Sequence, residues 1–147
     1  MHYTYSLVSE FKKRHPFTIA WRIKAHSKLI DEYLNPGEEI LYGFAGQKND
    51  KAFNIISSCV VVLTNKRILV VQKRLLFGFF IYSITPDMYN DLTVTASILW
   101  GKIHIDTVKE LITISKLSKK SLDEIETHIS EYMMDQKKSY TITNTRN

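Results

Sequence analysis

Five histidines and one cysteine are the side chains of this chain best suited to chemistry near neutral pH, and their spacing organises no reaction. His2, His15, His26, His104 and His128 are scattered. No H-E-x-x-H run sets two imidazoles and a base on one helix face, no C-x-x-C pair offers two thiolates to a metal, and no glycine-rich loop opens a helix to cradle a phosphate. Cys59 lies in the apolar run Cys59–Leu63, where a thiol serves as a small buried hydrophobe rather than a nucleophile. His26 falls on an apolar helical stripe, which predicts a satisfied core histidine. The residues therefore predict no catalysis, no metal site and no cofactor.

Cations are the other chemically useful group. The net charge of +5 is uneven: residues 1–74 hold 12 Lys/Arg against 6 Asp/Glu, and residues 75–147 hold 8 against 9. An N-terminal excess of this kind favours phosphate-bearing partners, although a pI near 9.2 by itself speaks mainly of solubility. Lys12, Lys13 and Arg14 form a run that stops at Pro16. From Phe17 to Leu34 the apolar residues Ile19, Ile23, Ile30 and Leu34 recur at spacings that share one helix face, and Asn35-Pro36-Gly37 ends the pattern. On such a helix Phe17, Trp21, Lys24 and Lys28 occupy the opposite face. Aromatics interleaved with lysines suit an anionic interface, and they equally suit packing against Leu7, Val8 and Phe11 of the preceding arm or against a neighbouring subunit. Lys48, Lys51, Lys66, Arg67, Lys73 and Arg74 are further cations placed in loops or at strand ends, where charge also keeps sheet edges soluble.

The elements that must position these groups follow from the hydrophobic pattern. At 147 residues and 44% hydrophobic content, one domain with its own core is expected. The lone cysteine and a start, MHYTYSLVSE, without basic n-region or apolar h-region predict a cytoplasmic location, and no apolar run approaches the roughly 20 residues that span a bilayer. After residue 37 the chain reads as seven strands, near Glu38–Gly46, Ile55–Leu63, Arg67–Gln72, Phe77–Ile84, Leu92–Ser97, Lys102–Asp106 and Leu111–Ser115. Thr64-Asn65-Lys66 fits a tight hairpin, with Asn supplying a positive φ. In Lys102–Asp106 the alternation sends Ile103 and Ile105 inward and Lys102, His104 and Asp106 outward. A helix from Ser121 to Gln136 follows, opened by the S-x-x-E spacing of a capping box and carrying the stripe Leu122, Ile125, Ile129, Tyr132, Met133. The polar residues 139–147 are expected to fray.

The wording "NPGEEILYGFAGQ", "VVVLTNKRILVVQKRLLFG", "SITPDMYNDLTV" and "LWGKIHIDT" resembles the bacterial pleckstrin-homology-like (PH-like) domain family, its YokE-like subgroup in particular, over about Asn35 to Met134. Thr85-Pro86 departs from the simpler Ile-Pro wording of that pattern. The resemblance implies an α+β, mainly β fold: a seven-stranded antiparallel bent sheet or barrel capped by a C-terminal helix, here with an extra N-terminal helix. Residues 1–34 would then be an arm and amphipathic helix, 35–137 the PH-like domain and 138–147 a flexible tail.

The same resemblance implies a binding module and carries over no functional residues, because a fold does not fix a function. Phosphoinositide-binding PH domains place cations on both strands of the first hairpin. Here Lys48 and Lys51 lie in the loop, while Ile55–Val60 adds none, so no specific phosphoinositide site is expected. The leading expectation is a protein-binding or self-associating adaptor. The alternative is peripheral binding to anionic membrane, at the inner face, through Lys12, Lys13, Arg14, Phe17, Trp21, Lys24 and Lys28. Weak nucleic-acid binding ranks third, since no RNP-like motif is present.

Overall fold

The computed structural model describes residues 3–49, 57–73 and 78–145. Lys51, Arg74 and the expected starts of two strands, Ile55-Ile56 and Phe77, lie outside the described residues. Two helices come first, α1 (Tyr3–Arg14) and α2 (Ile23–Tyr33). Seven strands follow: β1 (Ile40–Lys48), β2 (Ser58–Thr64), β3 (Ile68–Lys73), β4 (Phe79–Ile84), β5 (Tyr89–Ala96), β6 (Gly101–Thr107) and β7 (Leu111–Leu117). The last element is the helix α3 (Leu122–Thr145). All neighbouring strands are antiparallel, in the order β4-β3-β2-β1-β7-β6-β5. β1 runs alongside β2 from Ile40 to Gln47 but meets β7 only at Gln47 and Lys48, so the sheet bends where β1 passes from one half to the other.

Both faces of the first half of the sheet are covered. The inner face joins Phe44, Val61, Leu63, Ile68, Val70, Ile103, Ile105 and Ile114 to the stripe Leu122, Ile125, Ile129, Tyr132 and Met133, as expected for α3. The outer face packs Val60, Val62, Leu69 and Val71 under Val8 of α1 and Ile30 of α2. This double cover is why β2, Ser-Cys-Val-Val-Val-Leu-Thr, is buried at every residue instead of alternating. β6 has only one covered face and alternates as its sequence predicts.

Four local expectations are corrected. The helix does not begin at Phe17. Residues 17–22 are not helical, and Arg22 precedes α2 in the left-handed region at φ 56°. Their backbone groups are taken by distant partners: the Ile19 N–H donates to the Lys116 carbonyl at 2.9 Å, the Gln47 amide donates to the Ile19 carbonyl at 3.0 Å, and the Trp21 N–H donates to the Ser58 hydroxyl at 2.8 Å. Once those groups are satisfied by the sheet, a helical ladder has nothing to add. Phe17 and Trp21 therefore share no helix face with Lys24 and Lys28.

The capping box at Ser121 also does not form. The Ser121 hydroxyl donates to the Ser118 carbonyl at 2.6 Å, and the Glu124 carboxylate turns to the N-terminal arm, accepting from Arg14 Nε at 3.0 Å, Arg14 Nη2 at 3.2 Å and the Tyr42 hydroxyl at 2.5 Å. His15 Nε2 lies 3.3 Å from the same carboxylate. The helix itself continues past Gln136 to Thr145, through most of the stretch expected to fray.

The hairpin between β2 and β3 forms where expected, by other means than a left-handed Asn65. The Thr64 hydroxyl accepts from the Lys66 and Arg67 N–H groups, each at 3.1 Å, and the positive-φ asparagine among the described residues is Asn49.

Candidate functional site

β5 and β6 are joined by the turn Ser97-Ile98-Leu99-Trp100, closed by the Ser97 N–H donating to the Trp100 carbonyl at 2.8 Å. Turns of this length ordinarily take Gly, Asn or Asp at the two central positions. Here those positions are Ile98 and Leu99, and they stand out of the fold at 89% and 57% exposure. Most of their apolar surface is left uncovered by the described residues.

Two other segments converge on this tip. The α1–α2 linker brings Phe17, whose ring stacks on Trp100 with centroids 5.5 Å apart, while the Trp100 indole N–H donates to the Phe17 carbonyl at 3.0 Å. Four residues further along is Trp21, 55% exposed, with Lys12 Nζ 6.0 Å from its ring centroid. Lys12 itself is tied to the linker through the Pro16 and Thr18 carbonyls, and burial lowers its pKa. The end of β7 brings Lys116. Between the pairs Gly101↔Leu117 and Ile103↔Ile114 the register shifts by one, so Lys102 faces a two-residue bulge, Ser115-Lys116. Lys116 sits in that bulge at φ 56°, with Nζ 5.7 Å from the Trp100 ring centroid.

The tip is a ridge between two clefts. One, of about 290 Å³, is lined by Ser97–Lys102, Ser115 and Lys116. The other, of about 480 Å³, is lined by Arg14, Pro16, Phe17, Ile98, Leu99, Ser118, Lys119 and Lys120. Exposed apolar side chains thus stand among aromatic rings and are flanked on both sides by cations.

Of the candidates read from sequence, Phe17 and Arg14 line the larger cleft, while Trp21 and Lys12 lie near each other along the linker and line neither cleft. Lys13 pairs with Glu10 on the outer side of α1 at 3.3 Å. Lys24 lies 6.0 Å from the Tyr5 ring centroid and Lys28 is exposed on α2, and neither lines a cleft. Arg67 is held by Glu38 at 2.9 Å and by the Ser83 hydroxyl and Tyr33 carbonyl, so it braces the fold. Lys48 donates to the Tyr82 hydroxyl at 2.7 Å, and Lys66 and Lys73 are exposed away from the clefts. Sequence reasoning missed Ile98, Leu99, Trp100, Lys102, Lys116, Lys119 and Lys120. The usable signal was a turn made of apolar residues.

The groups weighed for chemistry are elsewhere. Cys59 is fully buried, and burial pushes its thiol up to about 12. His26 is almost fully buried, as expected, and its burial outweighs the backbone groups of Arg22 and Trp21 that favour the charged ring. Among the described residues no three His, Cys, Asp or Glu side chains gather as metal ligands, and no helix is long and apolar enough to cross a membrane.

Residues 34–131 match the family described as Bacterial PH domain. The chain belongs to that family. This bacterial PH domain is also similar to two solved structures. One is a pleckstrin homology domain from Shewanella amazonensis, at 14% identity over 76% of this chain and 84% of that one, with a TM-score of 0.46. The other is a DUF1696-family protein with a pleckstrin-homology domain from Shewanella loihica, at 16% identity over 76% of this chain and 89% of that one, with a TM-score of 0.49. No curated protein matches the chain. PH-like domains are typically binding modules, and no enzyme family is indicated.

Proposed function

We propose that this bacterial PH domain is a non-catalytic module that docks on anionic membrane surfaces, at the inner face of the membrane, through the tip of the β5–β6 hairpin. The supporting observation is the exposed Ile98-Leu99 turn set beside Phe17 and Trp100 with lysines around it. Isolated apolar side chains on a surface need no explanation, but two large ones at a turn tip with aromatic neighbours and a cationic rim do. Full burial of an Ile or Leu side chain is worth about 1.5–3 kcal/mol, and a lysine near an anionic surface contributes about 1 kcal/mol. Those magnitudes fit reversible docking rather than permanent anchoring. The likeness to the YokE-like subgroup belongs to the same proposal.

The test is co-sedimentation of the whole chain with neutral and anionic vesicles at low and high salt, repeated with I98S/L99S. Retention on anionic vesicles, weakened by salt and lost in the variant, supports docking through the tip. Failure to bind anionic vesicles at low salt refutes it.

A second mode, self-association, has its own support in β4. This edge strand, Phe-Phe-Ile-Tyr-Ser-Ile, pairs only with β3 among the described residues, has no register shift, carries no charge and leaves Phe79 and Phe80 exposed. Edges without charge or bulge are templates for pairing with another copy. The N-terminal helices are less suited to that role, because Val8 and Ile30 are buried within the fold. A strict monomer in size-exclusion chromatography with light scattering, across a wide concentration range, would exclude this mode.

A further inference from the structure

We propose that the cleft between the β5–β6 turn and the end of β7 holds the phosphate headgroup of one anionic glycerophospholipid. The inference rests on the docking reading and adds to it a defined headgroup site. The cleft of about 290 Å³ lies just below the roughly 300–1,000 Å³ usual for ligand pockets, which suits a headgroup and not a whole lipid.

Its lining is amphiphilic in the required order. Lys102 and Lys116 come from adjacent strands, Lys102 opposite the bulge that contains Lys116, and both line the cleft with Trp100. A phosphate between two ammonium groups would leave its glycerol and acyl chains to run over Leu99 and Ile98, the two most exposed apolar side chains of the turn. Free phosphate would use the lysines and waste the apolar wall.

The backbone at Lys116 supports the assignment. A side chain with a Cβ pays for the left-handed region, and glycine would occupy φ 56° without cost. Lys116 is held there by its carbonyl, which accepts from the Ile19 N–H at 2.9 Å. What a lysine gives at that position, and a glycine does not, is a cation beside Trp100 in the cleft. Strain of this kind gathers at sites that bind. The site lies at the opposite end of β6 and β7 from the turn Val108–Glu110 that joins those strands, and it uses neither Lys48 nor the first hairpin.

The experiment follows amide and indole N–H resonances of the full chain as dihexanoyl phosphatidylglycerol is added below its micelle concentration. Saturable shifts are expected at the Trp100 indole, Gly101 and Lys102. K102Q/K116Q should bind roughly tenfold or more weakly, while K66Q/K73Q, exposed away from the clefts, changes affinity for the soluble lipid less than about twofold. K116G relieves the strained φ, so it should melt no lower than the parent and still bind more weakly, which separates binding from folding. Inorganic phosphate at the same concentrations should leave these resonances in place. Absent shifts, or equal losses in the two double variants, would overturn the headgroup site, and equal shifts with inorganic phosphate would overturn its assignment to lipid. Salt-sensitive vesicle binding that depends on Ile98 and Leu99 would survive any of these outcomes, so the cleft and the docking face fail separately.

Discussion

Trp100 and Phe17, from the β5–β6 turn and the α1–α2 linker, are joined twice: their rings stack at 5.5 Å, and the indole N–H donates to the Phe17 carbonyl at 3.0 Å. The contact ties a segment of the N-terminal arm to the hairpin tip and fixes the spacing of the apolar groups there. Aromatic pairs contribute about 0.5–1.5 kcal/mol beyond area, and a partly solvated hydrogen bond contributes no more than about 1 kcal/mol. W100A is therefore expected to lose about 1–2 kcal/mol in urea unfolding, and W100F, which keeps a ring but no donor, about half of that. Vesicle affinity should fall in the same order. A variant that loses stability and keeps full vesicle affinity would mean that the ring only props the linker.

His26 predicts acid sensitivity in one pH window. Burial, then the charge of Arg22 and more weakly that of Lys73, hold its pKa at about 4 instead of 6.5. Above pH 6.5 the ring is neutral in both folded and unfolded chains and favours neither. Between 6.5 and 4 the unfolded chain takes up a proton that the folded one refuses, so stability falls as pH falls, by on the order of 3 kcal/mol across the window. H26L should flatten the stability profile there without lowering stability at pH 7.5. An unchanged slope in H26L would assign the acid sensitivity to other groups.

Glu124 predicts a second, more acidic window. Burial alone would push its carboxyl up. The hydrogen bonds from Arg14, Tyr42 and His15 outweigh it and hold the pKa at about 2, below the ordinary 4.5. Its contribution is thus complete above pH 4.5 and drains away as pH falls toward 2. E124Q should cost about 2 kcal/mol at pH 7, because it leaves the Arg14 guanidinium and the half-buried clasp without a counter-charge, and the difference from the parent should narrow below pH 4.5. A cost independent of pH down to 2.5 would mean that packing, not charge, is lost. The clasp also closes the larger cleft on the Arg14 side, so loosened vesicle binding is expected alongside.

Where a residue's fate depended on its near neighbours, the sequence was readable. Ile103 and Ile105 are fully buried and Asp106 is exposed because β6 has one covered face, and the α3 stripe is buried in full because one apolar face meets one sheet. Ile19, Ile23, Ile30 and Leu34 have helical spacing, yet only Ile30 is buried, since the linker before α2 obeys Lys116, Gln47 and Ser58. Those partners lie at least 28 positions away, beyond the reach of any periodicity. The basic aromatic surface was half legible for the same reason. Phe17, Trp21, Lys12 and Arg14 are eye-catching in sequence, whereas Lys102, Lys116, Lys119 and Lys120 join them only because the sheet bends and β7 bulges.

The pairing of Arg14 with Glu124 spans 110 positions. Translation at about 5–20 residues per second puts on the order of 5–20 s between the synthesis of its two halves. Until then α1 has neither its ionic partner on α3 nor the β7 carbonyl that receives Ile19, and Phe17 waits for Trp100. Packing on the early strands can hold the arm first, and its ionic and aromatic ties to the second half of the sheet and to α3 are added only when those elements have been made.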